Sequence, residues 1–284
     1  MRTPQNKTSE IRFHELELRR IESAKDCGNL YHRLLLEKLR RYLKFDVNTD
    51  RLIFDAGCGD GFYVKKLAQE DYNVVGLDIS PAYARFWKPN YKGKKGTSMF
   101  VIGDLEKIPF RDKSFDACFC ISTLHHFVDI SLVCSELSRT MKYQGKFFLI
   151  DINGSNPFIG LTRSFIRFIG SWLEKMAVAS KNECSHNISG IAKELRKSGF
   201  KNLRASSVYI DTLELYEAAG TGRALLFSRS FLIYFFRLME HIVLELCWRI
   251  LPQPLNGYLL VISTIKTQRY HKGTSEAHDN IALY

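Results

Sequence analysis

A glycine-rich turn after a short apolar run constrains the fold of this 284-residue chain more than any other feature. Residues 52–61 read Leu-Ile-Phe-Asp-Ala-Gly-Cys-Gly-Asp-Gly, so a run typical of a buried strand breaks into three alternating glycines. Because glycine has no Cβ and adopts positive φ readily, such a turn lets the backbone pass close to a small ligand. A second apolar run, residues 74–77, ends at Asp78, and an acid at the tip of the next parallel strand is placed to bind a ribose. Together the two runs predict a nucleoside-binding site.

The spacing of the glycines differs from the dinucleotide-binding fingerprint. That fingerprint, G-x-G-x-x-G, uses its third glycine to pack helix against strand beside a pyrophosphate. Here Gly57 and Gly59 fit, but the third position is Phe62 and the remaining glycine is Gly61. The pattern that begins at Asp55 is similar to motif I of the class I S-adenosylmethionine-dependent methyltransferases, in which the turn faces the methionine end of the cofactor.

Three more strand-like runs follow the first two. Residues 100–103 form a run that ends at Asp104, and residues 115–121 form one that ends at Ser122. A stretch with helical periodicity then leads to a fifth run, residues 146–152. Strands that alternate with helices imply right-handed crossovers and a parallel sheet covered on both faces. Ligands of such sheets bind outside the carboxyl ends of the strands, so we expect the residues at these ends to line one edge.

Over residues 46–152 the chain resembles the methyltransferase type 11 group of the class I S-adenosylmethionine-dependent methyltransferases. The resemblance implies an α/β fold, a three-layer sandwich around a mostly parallel seven-stranded sheet, with S-adenosyl-L-methionine as cofactor. In this group the acid at Asp104 holds the adenine amino group, and the next backbone N–H, that of Leu105, reaches a ring nitrogen. The cofactor-binding residues that the resemblance implies are Asp55, Gly57, Cys58, Gly59, Gly61, Asp78, Ile79, Asp104, Leu105 and Ser122.

Two adjacent histidines after the fourth run are the candidate catalytic residues. Methyl transfer is an in-line displacement, and a hydroxyl acceptor must also lose a proton, so a positioned base assists it. His125 and His126 suit this role because histidine titrates near neutral pH. The alternative is that one of them caps a helix or contacts the cofactor, and Asp151 and His186 are weaker candidates near the same edge. The sequence lacks a zinc-ligand spacing, so no metal site is predicted.

The loop after the fourth run also bears on the acceptor. Relatives that methylate exocyclic amines of bases usually carry an Asn-Pro-Pro-Tyr-like stretch there, whereas this chain has Ser-Thr-Leu-His from Ser122. The resemblance therefore favours O- or C-methylation of a small, hydrophobic or lipid-linked acceptor. Two alternatives stay open: an RNA methyltransferase, which only the basic charge suggests, and a non-catalytic methyltransferase-like protein that binds a partner. The intact glycine and acidic positions argue against the second of these.

Five segments are predicted along the chain. They are an N-terminal helical cap (1–45), the cofactor-binding core (46–152), an amphipathic insertion (153–185), the completion of the core (186–266) and a C-terminal tail (267–284). The completion contains a hydrophobic insertion, residues 213–256, which is far longer than a hairpin loop between the last two strands. A transmembrane helix needs about 20 apolar residues, and charged residues interrupt this insertion. Its amphipathic segments fit an interfacial helix or a lid over a hydrophobic acceptor, and equally a subdomain that packs on the core.

The net charge and the cysteine content limit which partners and which cellular compartment are expected. The formal charge of +11 suits nucleic acid or an anionic membrane surface, and also a basic surface without a special partner. The basic residues form only small clusters, so nucleic acid is not the expected partner. Seven cysteines without a C-x-x-C pair favour a reducing compartment, and residues 1–10 lack the apolar core of a secretory signal. We therefore expect a cytoplasmic protein, with peripheral association at a membrane as a further hypothesis.

Overall fold

The computed structural model shows an open β-sheet with helices on both faces. It describes residues 7–8, 11, 28–44, 50–87, 96–159, 184–208, 238–239, 242–243, 245–246, 248–252, 255–256, 259–267 and 282–283. The strands of this part of the chain are β1 Leu52–Ala56, β2 Asn73–Asp78, β3 Ser98–Ile102, β4 Phe115–Ile121, β5 Met141–Ile152, β6 Phe200–Val208, β7 Leu259–Lys266 and β8 Ala282–Leu283. Its principal helices are α1 Gly28–Leu43, α2 Phe62–Ala68, α3 Pro81–Phe86, α4 Ser131–Thr140 and α5 Ile188–Lys197, with a 3₁₀ turn at Leu124–His126.

The order of the strands across the sheet is β3-β2-β1-β4-β5-β7-β6-β8. Strands β3, β2, β1, β4 and β5 pair in parallel, and β7 runs antiparallel to both β5 and β6. The predicted mostly parallel sheet is confirmed. Because β5 and β6 run in the same direction, the carboxyl ends of β1 to β6 meet at one edge of the sheet. We call this edge the carboxyl edge.

The eighth strand is an addition to the seven that the sequence predicts. Ala282–Leu283, in the segment predicted as a C-terminal tail, pairs in parallel with β6 at Arg204 and Ala205. Two residues carry no readable periodicity, so the sequence pattern gives no sign of this strand. The addition lies on the side of β6 that faces away from β7.

Alternating strand residues build a separate core on each face of the sheet. Ile53 packs with residues of α1 and α2 on one face, whereas Phe54 packs with residues of α4 and α5 on the other. Both side chains are fully buried, because successive strand residues point to opposite faces. Burying one such side chain stabilises a fold by about 1.5–3 kcal/mol. The two cores and their helices confirm the predicted three-layer sandwich.

Helix α1, from the predicted N-terminal cap, packs directly on the sheet. Leu35 and Leu39, one helical turn apart, are fully buried. The hydroxyl of Tyr42 donates to the carbonyl oxygen of Thr264 at 2.8 Å, and its ring stacks on Phe148 with the centroids 4.8 Å apart. This helix therefore belongs to the core of the domain.

The two predicted insertions lie largely outside the described residues. Residues 160–183 of the amphipathic insertion and residues 213–237 of the hydrophobic insertion are not among them. The described residues of the hydrophobic insertion up to position 250 are helical, namely 238–239, 242–243, 245–246 and 248–250. Among the helices described, none combines the length and the hydropathy that a bilayer crossing requires.

Candidate active site

The glycine turn between β1 and α2 folds over the end of β2. Gly57, Gly59 and Gly61 adopt positive φ angles of 85°, 51° and 75°, a region that is costly for residues with a Cβ. The N–H groups of Gly57 and Cys58 both donate to the carbonyl oxygen of Leu77, at 2.9 and 3.0 Å. These two hydrogen bonds fix the turn against β2 at the carboxyl edge.

The three glycines serve different purposes. A Cβ at Gly57 would lie 2.4 Å from the side chain of Thr123, and a Cβ at Gly61 would lie 2.5 Å from the ring of Trp87. A Cβ at Gly59 would have its nearest neighbour 4.0 Å away. The first and third glycines are therefore required by the protein's own packing, and the middle one borders space for a ligand.

Asp78 is held at the end of β2 by two backbone N–H groups. Its Oδ2 accepts the N–H of Gly59 and its Oδ1 accepts the N–H of Ser80, both at 2.9 Å. A carboxylate has about four lone-pair sites, so this one has the capacity to accept ribose hydroxyls as well. Ile79, the neighbouring predicted contact, is half-buried. The structure thus brings Asp78 and the glycine turn together, as the sequence pattern predicts.

Cys58 packs beneath the turn. Its Sγ would lie 2.7 Å from a Cβ at Gly76 in β2, and its side chain is buried. Burial raises the pKa of the Cys58 thiol well above its ordinary value, so the thiol stays protonated and unreactive at neutral pH. A contribution of Cys58 to cofactor binding is therefore limited to its backbone.

Asp55 is a buried acid next to the glycine turn. It is 1% exposed, and its Oδ2 has no hydrogen-bond partner among the described residues. Burial, reinforced by the negative charges of Asp78 and Asp60, raises the pKa of Asp55 well above its ordinary value. A buried acceptor without a partner costs about 1–3 kcal/mol, and a bound cationic group would offset that cost. S-adenosylmethionine carries both an ammonium and a sulfonium group, so these residues fit the cofactor that the resemblance implies.

A lysine from the N-terminal segment contacts the acid predicted to hold adenine. Lys7 forms an ion pair with Asp104 and another with Glu106, the latter at 3.1 Å. The hydrogen bond to Asp104 raises the pKa of Lys7, although burial opposes it. Asp104 Oδ1 also accepts the N–H of Glu106 at 2.9 Å, and Leu105 is buried between them. A lone lysine in a polar segment has no recognisable signature, so the sequence does not indicate Lys7 as a site residue.

Arg139 of α4 fixes the loop that follows Asp104. Its guanidinium donates to the carbonyl oxygens of Ile108 and Phe110, each at 2.8 Å. Hydrogen bonds to Glu136 and then Asp112 raise the pKa of Arg139, so it stays charged. The Glu136 carboxylate also accepts the N–H of Ile108 at 2.9 Å. The loop beside the predicted adenine site is therefore supported by a helix of the core.

The loop after β4 begins with a strained residue. Ser122 has a φ of 54°, which costs a residue with a side chain on the order of 1–3 kcal/mol. Its N–H donates to the carbonyl oxygen of Ile150 at 2.8 Å. Thr123 Oγ1 lies 3.0 Å from the carbonyl oxygen of Ile121 and 3.4 Å from that of Gly57. The loop is therefore held between β5 and the glycine turn.

His125 and Asp151 form a buried imidazole–carboxylate pair at the carboxyl edge. His125 Nδ1 and Asp151 Oδ1 are 2.6 Å apart, and the His125 N–H donates to Asp151 Oδ2 at 3.1 Å. Burial alone would raise the pKa of Asp151, but the charge and hydrogen bond of His125, with the Ile152 N–H, bring it below its ordinary value. Because an ionised carboxylate only accepts, the proton of neutral His125 lies on Nδ1. The Nε2 atom then carries the lone pair of a base.

The structure distinguishes between the two histidines, which the sequence predicts as equally good candidate bases. The His126 ring lies against that of His125, with the centroids 4.2 Å apart. Its backbone N–H donates to the carbonyl oxygen of Thr123 at 3.1 Å, within the 3₁₀ turn. Of the two, His125 is the one whose ring is oriented by Asp151. The orienting carboxylate makes His125 the stronger candidate base.

The segment before α5 forms hydrogen bonds with the loop after β4 that contains His125 and His126. The N–H of Cys184 donates to the carbonyl oxygen of His125 at 2.8 Å, and its thiol donates to that of Phe127 at 2.9 Å. His186 Nε2 donates to the same Phe127 oxygen at 2.7 Å. His186, a weaker candidate base by sequence, is therefore engaged in holding the loop. Within the described ranges, no group of three or more His, Cys, Asp or Glu side chains is placed to hold a metal ion.

A family model matches the segment that carries the glycine turn, Asp78, Asp104 and His125. Residues 54–149 match a family model described as a methyltransferase domain. The malonyl-[acyl-carrier protein] O-methyltransferase of Legionella pneumophila is 34% identical over 113 residues, which cover 39% of this chain and 38% of that protein. The sterol 4-C-methyltransferase strm-1 of Caenorhabditis elegans is 26% identical over 117 residues, which cover 40% of this chain and 35% of that protein. The matches to the first curated relatives cover about half or less of the length of each relative.

Solved structures share the fold at lower identity. The Haemonchus contortus phosphoethanolamine N-methyltransferase 2, bound to S-adenosyl-L-methionine, has a TM-score of 0.59 at 18% identity, covering 85% of this chain and 53% of that chain. The Streptomyces coelicolor geranyl diphosphate C-methyltransferase, bound to S-adenosyl-L-homocysteine, has a TM-score of 0.57 at 18% identity, covering 83% and 76%.

The fold and the glycine turn define the class I S-adenosylmethionine-dependent methyltransferases. Residues 54–149 match the methyltransferase domain family, and solved methyltransferases with S-adenosylmethionine or S-adenosylhomocysteine bound share the fold. The resemblance that the sequence shows, and the cofactor that it implies, are confirmed for this segment.

Proposed function

We propose that this protein transfers the methyl group of S-adenosylmethionine to an oxygen or carbon atom of a small, hydrophobic or lipid-linked acceptor. The observation that carries the proposal is the buried His125–Asp151 pair, which lies at the same edge of the sheet as the glycine turn and Asp78. A cofactor site beside an oriented base is what methylation of a hydroxyl requires.

The cofactor supplies a methyl group that its sulfonium already activates, so the protein has to bind, align and remove a proton. Asp78 would bind the ribose, Asp104 the adenine amino group, and the buried Asp55 carboxylate would favour the cationic methionine end. The proposed role of Asp55 follows the local charges, because the acids Asp55, Asp60 and Asp78 interact with one another at the glycine turn.

His125 would act on the acceptor. As the bond from the acceptor oxygen to the methyl carbon forms and the sulfur–carbon bond breaks, the hydroxyl proton moves to Nε2 of His125. The carboxylate of Asp151 stabilises the imidazolium that results and keeps the ring in the productive tautomer. The segment around Cys184 holds the backbone of this loop, so the base keeps its orientation.

The names of similar proteins support this class of acceptor. Those proteins are a sterol 4-C-methyltransferase, a malonyl-[acyl-carrier protein] O-methyltransferase and a geranyl diphosphate C-methyltransferase. One structural neighbour is a phosphoethanolamine N-methyltransferase, so a small polar acceptor is the first competitor. We place the protein in the cytoplasm, acting on acceptors of low water solubility.

Transfer of labelled methyl groups tests the proposal. Incubating the full chain with methyl-labelled S-adenosylmethionine and a lipid extract should place label in the organic phase, and none in RNA supplied in parallel. His125→Asn should lower kcat about 10²–10⁴-fold, whereas His126→Asn serves as the matched control and should lower it far less. Label in RNA, or no transfer to any lipid or small acceptor by protein that binds the cofactor, would overturn the proposal.

A further inference from the structure

Asp55 and Asp78 are two buried acids at the carboxyl edge that differ in their hydrogen bonding. Asp78 accepts the backbone N–H groups of Gly59 and Ser80, each at 2.9 Å. Hydrogen bonds of this kind favour the ionised form of a carboxyl group. Asp55 is buried, and its Oδ2 has no hydrogen-bond partner among the described residues. Of the two acids, Asp78 is therefore the one that is stabilised as a carboxylate by the protein itself.

The groups around Asp55 disfavour a second negative charge. Asp55 lies on β1, which pairs with β2 on one side and with β4 on the other. Within the described part of the chain, the charged groups that act on it are Asp78 and Asp60, both of them acids. Three thiols that burial keeps protonated also interact with it, namely Cys58, Cys118 and Cys120. Burial and the neighbouring acids together raise the pKa of Asp55, so the cofactor-free protein holds a proton there.

A cationic ligand reverses this balance. An opposite charge within about 4–6 Å favours the ionised form of a carboxyl group. A carboxylate that pairs with a cation in a buried site also loses the penalty of being an isolated charge. S-adenosylmethionine carries an ammonium and a sulfonium group, whereas S-adenosylhomocysteine carries the ammonium alone. The two ligands therefore present one or two cations to the same acid.

We propose that binding of the cofactor releases a proton from Asp55, so that this residue couples the affinity for the cofactor to pH. The O–H bond of the carboxyl group breaks, the proton passes to a base in the buffer, and the remaining carboxylate pairs with the cation of the ligand. The coupling rests on the proposed function, which places the cationic methionine end of the cofactor beside Asp55. Below the pKa of Asp55 in the free protein, the affinity should rise by up to about tenfold per pH unit, and above that pKa it should level off.

Calorimetric titration in buffers of different ionisation heat tests the proton release. The slope of the observed heat of binding against the ionisation heat of the buffer gives the number of protons released. Between about pH 5 and pH 7.5 the unmodified chain should release up to about one proton on binding S-adenosylmethionine or S-adenosylhomocysteine. Asp55→Asn removes the titrating group and nearly keeps its shape, so it should release far less. The difference in affinity between the two proteins should narrow as the pH is lowered.

Two controls assign the proton. His125→Asn removes a group of the same edge that titrates near neutral pH, and it should release as much as the unmodified chain. The amino group of the ligand, which titrates at about pH 8, contributes equally in every variant. Difference infrared spectroscopy of the unmodified chain needs no variant: the C=O stretching band of a protonated carboxyl group should disappear when the ligand binds.

The outcomes separate this coupling from the proposed function. Release with both ligands assigns the coupling to the ammonium group, and release with S-adenosylmethionine alone assigns it to the sulfonium. Binding of both ligands without proton release, or release that is lost in His125→Asn and kept in Asp55→Asn, overturns the coupling and leaves the proposed function intact. Absence of binding by either ligand overturns both.

Discussion

At the scale of single residues, Asp55 links stability to ligand binding. Its pKa is raised well above the ordinary value, so between about pH 4 and that higher value the folded protein holds a proton that the unfolded chain has released. Folding is therefore less favourable at neutral pH than at acidic pH as far as this group is concerned. A buried acid that lowers the stability of the ligand-free protein and lies at the ligand site is typically retained for ligand binding.

Asp55→Asn should for this reason raise the melting temperature of the cofactor-free protein at neutral pH. The expected gain is on the order of 1 kcal/mol, or about 2–4 °C for a domain of this size, and it should shrink as the pH is lowered towards about 4. The same variant should bind S-adenosylhomocysteine more weakly. Scanning calorimetry at several pH values checks the first part, and a variant that melts lower at every pH would contradict it.

Lys7 competes with adenine for Asp104 if the cofactor binds as proposed. The ion pair must open, or be shared, when the adenine amino group donates to the same carboxylate. Lys7→Met should therefore increase the affinity for S-adenosylhomocysteine, by no more than about fivefold, because partly exposed ion pairs are worth about 0–1 kcal/mol. Lys7→Arg is the control, since it keeps the pair. Weaker binding by Lys7→Met in a titration would mean that the lysine helps to hold the cofactor.

Sequence distance explains which site residues are predictable. The glycine turn and Asp78 belong to one strand–helix–strand unit, so a local pattern is enough to place them together. His125 and Asp151 are 26 residues apart, and their pairing depends on the register of β4 against β5, which a pattern does not give. Lys7 and Asp104 are 97 residues apart, and their contact depends on where the N-terminal segment docks.

At the scale of elements, the turn after β1 and the loop after β4 are packed against each other. A side chain at Gly57 would collide with Thr123, and a side chain at Gly59 would not collide with anything nearby. Both glycines have positive φ, so the backbone strain of a substitution is similar at the two positions. The difference in unfolding free energy between alanine variants at Gly57 and Gly59 therefore measures the contact between the turn and the loop.

Gly57→Ala should destabilise the fold by about 2–4 kcal/mol, the sum of backbone strain and overpacking. Gly59→Ala is the matched control and should cost roughly 1–2 kcal/mol from strain alone while weakening cofactor binding. Adding Thr123→Ala should recover part of the loss in Gly57→Ala and none in Gly59→Ala. Denaturant unfolding measures all four variants, and equal free energies of unfolding for the two alanine variants would contradict the packing account.

Long elements are predictable and short ones are not. The strands of the parallel sheet follow apolar runs that end at acidic or turn residues, and their parallel pairing follows from the alternation with helices. The two-residue strand β8 has no such run. The apolar residues of the hydrophobic insertion lie between these cases: they are visible in the sequence, whereas the exposure of Met239, Ile242, Leu246 and Ile250 depends on tertiary packing.

At the scale of the whole molecule, the sheet gathers residues from distant parts of the chain at one edge. Gly59, Asp78, Asp104 and His125 come from four different strand ends, and Asn256 of the hydrophobic insertion accepts a hydrogen bond from Ser207 near a fifth. The overall charge is basic, yet the residues around the glycine turn are acidic. A cationic nucleoside is therefore favoured at the edge while the rest of the surface remains suited to an anionic partner.

Calorimetric titration of S-adenosylhomocysteine into the full chain tests the central claim most directly. The account predicts binding at one site, weakened in Asp78→Asn by about 1–3 kcal/mol because charge-assisted hydrogen bonds to the ribose are lost. Asp50→Asn, which changes an exposed carboxylate before β1, is the control and should bind like the unmodified chain. No heat of binding for the unmodified chain, or equal affinity in Asp78→Asn, would contradict a cofactor site at the carboxyl edge.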